Sequence, residues 1–118
     1  MCLVISAKEK RKVAARNIKC YKVLKQDMRS FYQHFYYELG KTYKTNLRRE
    51  YNNNIHEVSC GFHTFKYIRG ARWEKKYNGG KQKIFEAVIP KGSLYYEGTF
   101  CKFGSCASNQ LKIIKEVK

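Results

Sequence analysis

Apolar and polar positions along the chain fall into short alternating runs. Cys2-Leu-Val-Ile-Ser6 predicts a short strand, and Ile18-Lys-Cys-Tyr-Lys-Val-Leu-Lys25 alternates near its start as a strand with one buried face does. Between them, Lys8 to Arg16 is charged except at Val13, Ala14 and Ala15, which predicts a helical turn or a basic loop. Phe31 to Leu39 is dense in β-favouring aromatics and reads as a strand. Asn52-Asn-Asn54 marks a loop, since asparagine tolerates left-handed geometry. Ile55 to Ser59 resumes a strand that ends at Cys60-Gly61. Phe62, Phe65, Ile68 and Trp73 then recur near helical spacing, interrupted by Gly70, and predict the helix of the chain between Phe62 and Tyr77. Asn78-Gly79-Gly80 is a break. Lys83 to Ile89 is the most strand-like run, and Pro90 ends it because proline lacks a ladder donor. Leu94–Tyr96 and Leu111–Val117 predict two further strands around a Gly/Ser/Cys loop from Gly98 to Ser108. With no repeat and no linker, residues 1–118 read as one β-rich α+β domain with about one helix.

Composition narrows what such a domain does. At 118 residues there is room for one modest core and little for a two-domain enzyme with a cofactor cleft. A hydrophobic share of 43% with 15% aromatics excludes a disordered basic tail. The longest uncharged apolar stretch, Cys2 to Ala7, is too short for a membrane span or a signal-peptide core, so a soluble cytoplasmic protein is expected. The formal net charge is +16, spread along the chain and interleaved with Tyr21, Tyr43, Tyr51, Tyr67, Trp73 and Tyr77. A small domain with that much self-repulsion implies an anionic partner, because cations and aromatics together bind phosphates and stack on bases. The plainer alternatives are a solvated basic surface and ordinary strand tyrosines.

The five cysteines are Cys2, Cys20, Cys60, Cys101 and Cys106. An odd count with no signal peptide fits reduced thiols, some of them packed as small hydrophobes. Cys60-x2-His63 with Cys101-x4-Cys106 has zinc-ligand types at loose spacing, and is the competing reading. No Gly-x-Ser-x-Gly elbow, Walker loop, Gly-x-Gly-x-x-Gly or His-Glu-x-x-His is present. Of His34, His56 and His63, only His63 lies beside a glycine at a strand end. The nine acidic residues are scattered and form no carboxylate cluster in sequence.

Two segments carry a resemblance: Cys60-Gly-Phe-His-Thr-Phe65 and Glu86-Ala-Val-Ile-Pro-Lys-Gly-Ser-Leu-Tyr95. The second resembles the last conserved strand of the ADP-ribosyltransferase fold, where a glutamate opens an apolar strand ending in Pro-x-Gly, a small hydroxyl residue and an aromatic. The resemblance implies that Glu86 holds the nicotinamide ribose of NAD and stabilises an oxocarbenium ion. Ser59-Cys-Gly-Phe-His-Thr64 is similar to that family's Ser-Thr-Ser strand end, with His63 replacing lost contacts, and Ile18–Leu24 to its first core strand. This chain has Lys22 where toxin-type transferases carry a phosphate-binding arginine, and Ile84 two residues before the glutamate, where Glu or Gln is common. Lysine is a point charge without the bidentate fork. The whole chain also resembles small proteins of gut Bacteroidetes and their phages that open with Met-Cys-Leu-Val-Ile and carry Ile-Pro-Lys-Gly, which implies no function by itself.

The leading expectation is a non-catalytic protein with an ADP-ribosyltransferase-like sheet that captures an anionic nucleotide, a cyclic oligonucleotide or nucleic acid. If phage-encoded, it would act on host signalling or defence. Lys22, Arg48, Arg49, Arg69 and Arg72 are its candidate phosphate contacts, and Tyr67 and Trp73 its stacking residues. The alternative is an NAD-dependent ADP-ribosyltransferase using Glu86 and His63, in which case Glu86 is more than a surface carboxylate paired with Lys81 or Lys83. A small structural or interaction protein of a phage is the third reading. Tyrosine-rich edge strands leave homo-oligomerisation open.

Overall fold

Alternation of burial along the strands sorts the side chains into the interior of a curled antiparallel sheet and one helix-covered face. The computed structural model describes residues 3–29, 36–52 and 54–118. Its elements are β1 (Leu3–Ile5), β2 (Lys12–Val13), β3 (Ile18–Leu24), β4 (Thr42–Lys44), β5 (Arg48–Asn52), β6 (Ile55–Cys60), β7 (Phe62–Phe65), α1 (Ile68–Tyr77), β8 (Lys83–Ile89), β9 (Leu94–Phe100), β10 (Phe103–Ser108) and β11 (Gln110–Val117). The strands run in the order β4-β11-β8-β3-β7-β10-β9-β1-β6-β5, with β2 paired to β9, and all their pairings are antiparallel.

The order forces the sheet to curl. β6 and β7 are four positions apart, which in a flat sheet is about 19 Å. Yet Gly61 alone separates them in sequence, so their ends lie within roughly 7 Å of each other. The bend needs glycine: Gly61 has φ +146°, and a Cβ there would stand 2.8 Å from the Leu47 side chain. Inside the curl pack Leu3, Ile5, Val58, Tyr96 and Ala107. A larger core gathers Cys20, Leu24, Tyr37, Phe62, Phe85, Ala87, Ile89, Cys106, Leu111 and Ile113 from both halves of the strand order. On the opposite face of β3 and β8, Val23 and Ile84 meet Phe65 and Ala71, seating α1 on the sheet.

Several expected elements are extended or moved. Phe62 and Phe65 belong to β7, and the helix starts only at Ile68. Gly70 does not interrupt that helix but lets it dock, since a Cβ would lie 2.5 Å from the Phe65 ring. The Gly98–Ser108 loop is instead the heart of the β9–β10 hairpin, which turns at Cys101 and Lys102 with φ of 50° and 72°. Lys8 to Arg16 contains no helix; Lys12 and Val13 pair with Tyr95 and Leu94. The Asn52–Asn54 loop is narrower than expected, because Asn52 still pairs with Ile55. Residues 31–35 of the aromatic run expected as a strand lie outside the described residues, and in its described part, residues 36–39, Tyr36 makes an isolated bridge to Arg29 in place of a strand. Among the described residues no helix is long and apolar enough to cross a membrane.

Candidate anion-binding site

Helix α1 reads Ile-Arg-Gly-Ala-Arg-Trp-Glu-Lys-Lys-Tyr, and its burial pattern separates charges by sign. Gly70, Ala71 and Glu74 face the sheet, while Arg69, Arg72 and Lys76 are exposed and Lys75 is half-buried. The only acid of the helix is therefore turned inward. Burial pushes the Glu74 carboxyl up from its usual range, with the Lys22 ammonium pulling the other way. No acidic residue sits in the first turn, where Arg69 stands against the helix dipole at a cost of about 0.5 kcal/mol. Helix stability does not explain that arginine.

Beside α1 lies a groove of about 290 Å³. Its apolar lining is Ile68, Ile84 and Val117, and its charged lining is Arg72, Lys75, Lys76 and Lys118. Among the described residues none of these four cations, nor Arg69, has a carboxylate within 4.0 Å. Glu116, the acid nearest in sequence to Lys118, pairs with Phe85 on the far face of β11, whereas Val117 pairs with Ile84 at the groove. Elsewhere some cations are matched, Lys12 and Lys66 to Glu97, Lys19 to Glu86 and Arg48 to Glu50. Others, such as Lys8, Lys10, Arg11, Lys91, Lys102 and Lys115, have no carboxylate within 4.0 Å among the described residues. The helix face is set apart by its density of cations beside a groove.

Of the seven binding residues expected from sequence, α1 and its cap gather Arg69, Arg72, Tyr67 and Trp73. The Arg69 guanidinium lies 5.4 Å from the centre of the Tyr67 ring, and Trp73 stacks on Tyr77 with ring centres 5.2 Å apart. The other three are elsewhere. Arg48 is on edge strand β5, ion-paired to Glu50 at 3.0 Å. Arg49 is consumed by the fold: its guanidinium donates to the carbonyls of Glu9, Ser6 and Ala7 and lies over the Tyr96 ring. Lys22 donates to the His63 carbonyl at 2.7 Å across the seam between β3 and β7, which the ladder joins only at Tyr21 and Phe65. Lys75, Lys76, Lys118 and Tyr77 are missing from the sequence-based expectation, although Arg69, Arg72 and Lys76 repeat at helical spacing once Gly70 is allowed inside the helix.

The residues of the transferase reading are not gathered into one cleft. Glu86 pairs with Tyr21 across β3–β8 and Lys22 with Phe85, so the two side chains leave on opposite faces. Glu86 is bound to Lys19 at 3.1 Å, in place of Lys81 or Lys83. Both His63 ring nitrogens sit 3.0 Å from backbone carbonyls, Nδ1 from Gly61 and Nε2 from Val58, so the imidazole braces the bend and has no nitrogen left for a substrate. Burial and the nearby Lys22 ammonium push its pKa down to about 4, against the pull of those carbonyls. Near neutral pH the ring is uncharged and donates to one of the two.

The zinc spacing is not realised either. Cys106 is buried in the larger core, Cys101 is exposed at the hairpin turn, and Cys20, Cys60, Cys101 and Cys106 are free thiols. Among the described residues no three His, Cys, Asp or Glu side chains are grouped to hold a metal ion.

Lys22 gives a pH signature of this interior. Desolvation pushes its ammonium from 10.5 down to about 8, despite the field of Glu74. The unfolded chain keeps that proton to higher pH, so Lys22 by itself adds roughly 3 kcal/mol of stability as pH goes from about 8 to 10.5. The buried Cys20 and Cys106 thiols, pushed up from 9.0 to about 12, act the other way above pH 9. In urea denaturation the stability difference between the parent and Lys22→Met, which lacks the titrating group, is expected to move in the parent's favour across that window; a difference that stays constant with pH would contradict the burial. No family model, curated protein or solved structure matches this chain.

Proposed function

We propose that this protein is a non-catalytic binder that captures a phosphate-bearing ligand, a nucleotide, cyclic oligonucleotide or nucleic acid, on the outer face of α1. The observation that carries this reading is the sorting of charge around the helix. Arg72, Lys75, Lys76 and Lys118 line a partly apolar groove and, with Arg69 on the same helix as the first three, stand without acidic partners among the described residues, while Glu74 is buried beneath. Unmatched like charges at close spacing repel one another, and a polyanion relieves that repulsion while releasing its own counterions. Arginine adds bidentate pairing to phosphate oxygens, and lysine adds point charge. An ADP-ribosyltransferase-like sheet, to which the resemblance of Glu86–Tyr95 points, would be compatible with binding alone, because a fold does not fix an activity. The placement of Glu86 on the opposite face from Lys22, whose ammonium is spent on the His63 carbonyl, favours binding over NAD chemistry.

Amide chemical-shift mapping with inorganic pyrophosphate tests the location. Shifts are expected at residues 67–77, 84 and 117–118, and Glu86→Ala is expected to change affinity by no more than about twofold. Shifts centred on Lys19, Glu86 or Arg48, or no saturable shifts at all, would overturn the assignment.

A further inference from the structure

The aromatic side chains around α1 carry the argument from phosphate to a particular form of ligand. Trp73 stacks on Tyr77 with an interplanar angle of 19° and is wedged against Phe103 at 5.4 Å and Phe100 at 6.3 Å. Those phenylalanines in turn contact Phe65 edge-on, so the shelf under Tyr77 is fixed by the core. Tyr77 itself is 74% exposed, and Tyr67 at the other end of the helix is 56% exposed. Ten residues of rise separate the two tyrosines by about 15 Å. Arg69, Arg72 and Lys76 are spaced between them.

From this arrangement, and resting on the phosphate-binding reading above, we infer that the ligand is single-stranded nucleic acid, its backbone running along Arg69, Arg72 and Lys76 and its bases stacking on Tyr77 and Tyr67. A mononucleotide wants an enclosing pocket with cations converging on one phosphate cluster. Here the groove is open and small, and Arg69, Arg72 and Lys76 follow one another along the helix, carrying positive charge beyond the groove. A duplex offers phosphates but hides its base faces, leaving two exposed tyrosines without a role. A single strand uses both features, and the sequence-tolerant stacking of bases on aromatic rings supplies a large part of the affinity of such sites.

Trp73 is the only tryptophan of the chain, so its fluorescence reports on the shelf directly. The protein is titrated with oligothymidylate and oligouridylate of about ten residues, with thymidine and uridine monophosphates, with a hairpin duplex and with inorganic pyrophosphate. Saturable quenching is expected with one or both oligonucleotides, at least about a hundredfold tighter than with either monophosphate. Tyr77→Ala is expected to weaken oligonucleotide binding about tenfold, and Tyr77→Phe to retain it. The substituted side chain is on the surface, and circular dichroism verifies that the variants fold. Equal affinity for monophosphate and oligonucleotide, or equal or tighter binding of the duplex, would overturn the single-strand inference and leave phosphate binding standing. No saturable binding of any probe, pyrophosphate included, would overturn both. The two oligonucleotide arms separate DNA from RNA.

Discussion

Gly98→Ala is expected to lower the melting temperature by about 12 °C, corresponding to about 3 kcal/mol of lost stability. Gly98 lies in β9 where β1 crosses it, and a Cβ at this position would stand 2.1 Å from the Val4 carbonyl oxygen and 2.9 Å from the Ile5 side chain. The obstacle is backbone, so no rotamer change relieves it. β1 is three residues long and meets β9 through the single pair Val4 and Thr99. Moving β1 outward therefore breaks that pair and draws Leu3 and Ile5 from the packing they share with Val58 and Tyr96. Amide exchange in Leu3–Ile5 is expected to accelerate in the variant. A melting temperature within about 2 °C of the parent would contradict the close approach of the two strands.

Legibility in the sequence follows how local each interaction is. β3 and β8 stand out because alternation and Pro90 are local signals, and both strands appear where the pattern puts them. The β9–β10 hairpin is hidden because its turn residues, Cys101 and Lys102, adopt positive φ without being glycine or asparagine. The apolar spacing from Phe62 to Ile68 mimics a helix because a strand and a helix meet there around a short turn. β4 and β5 are short, polar edge strands whose extended form depends on pairing with β11 and β6. Candidate site residues divide in the same way. Arg69, Arg72, Tyr67 and Trp73 lie within seven positions of one another, on one helix and its cap, and so are legible together. Lys22 and Arg49 are ordinary basic residues in sequence, and the carbonyls they serve lie 41 and 40 residues away. Nothing local distinguishes a cation that serves a distant backbone from one left free on the surface.

Arg72→Glu with Lys76→Glu is expected to weaken binding of a phosphate ligand by about a hundredfold at low salt. Arg72 is exposed one helical turn before Lys76, and both line the groove. Each reversal removes one attraction and adds one repulsion at the same place. The variant remains strongly basic, so a general attraction of polyanions to the molecule survives while the local one is inverted. Stability is expected to change little, since neither side chain has an ion-pair partner among the described residues. Lys44→Glu with Arg48→Glu shifts net charge equally on exposed residues of β4 and β5, away from the helix.

The measurement that bears most directly on a localised site is the affinity for oligothymidylate of the parent and these two double variants at low and moderate salt. The α1 reversal is expected to lose about a hundredfold at low salt and to flatten the dependence of log affinity on log salt by roughly 1.4, the share of two phosphate contacts. The β4/β5 reversal is expected to stay within about threefold of the parent. Equal losses in both variants would mean that net charge alone attracts the ligand, and that the helix face is no site.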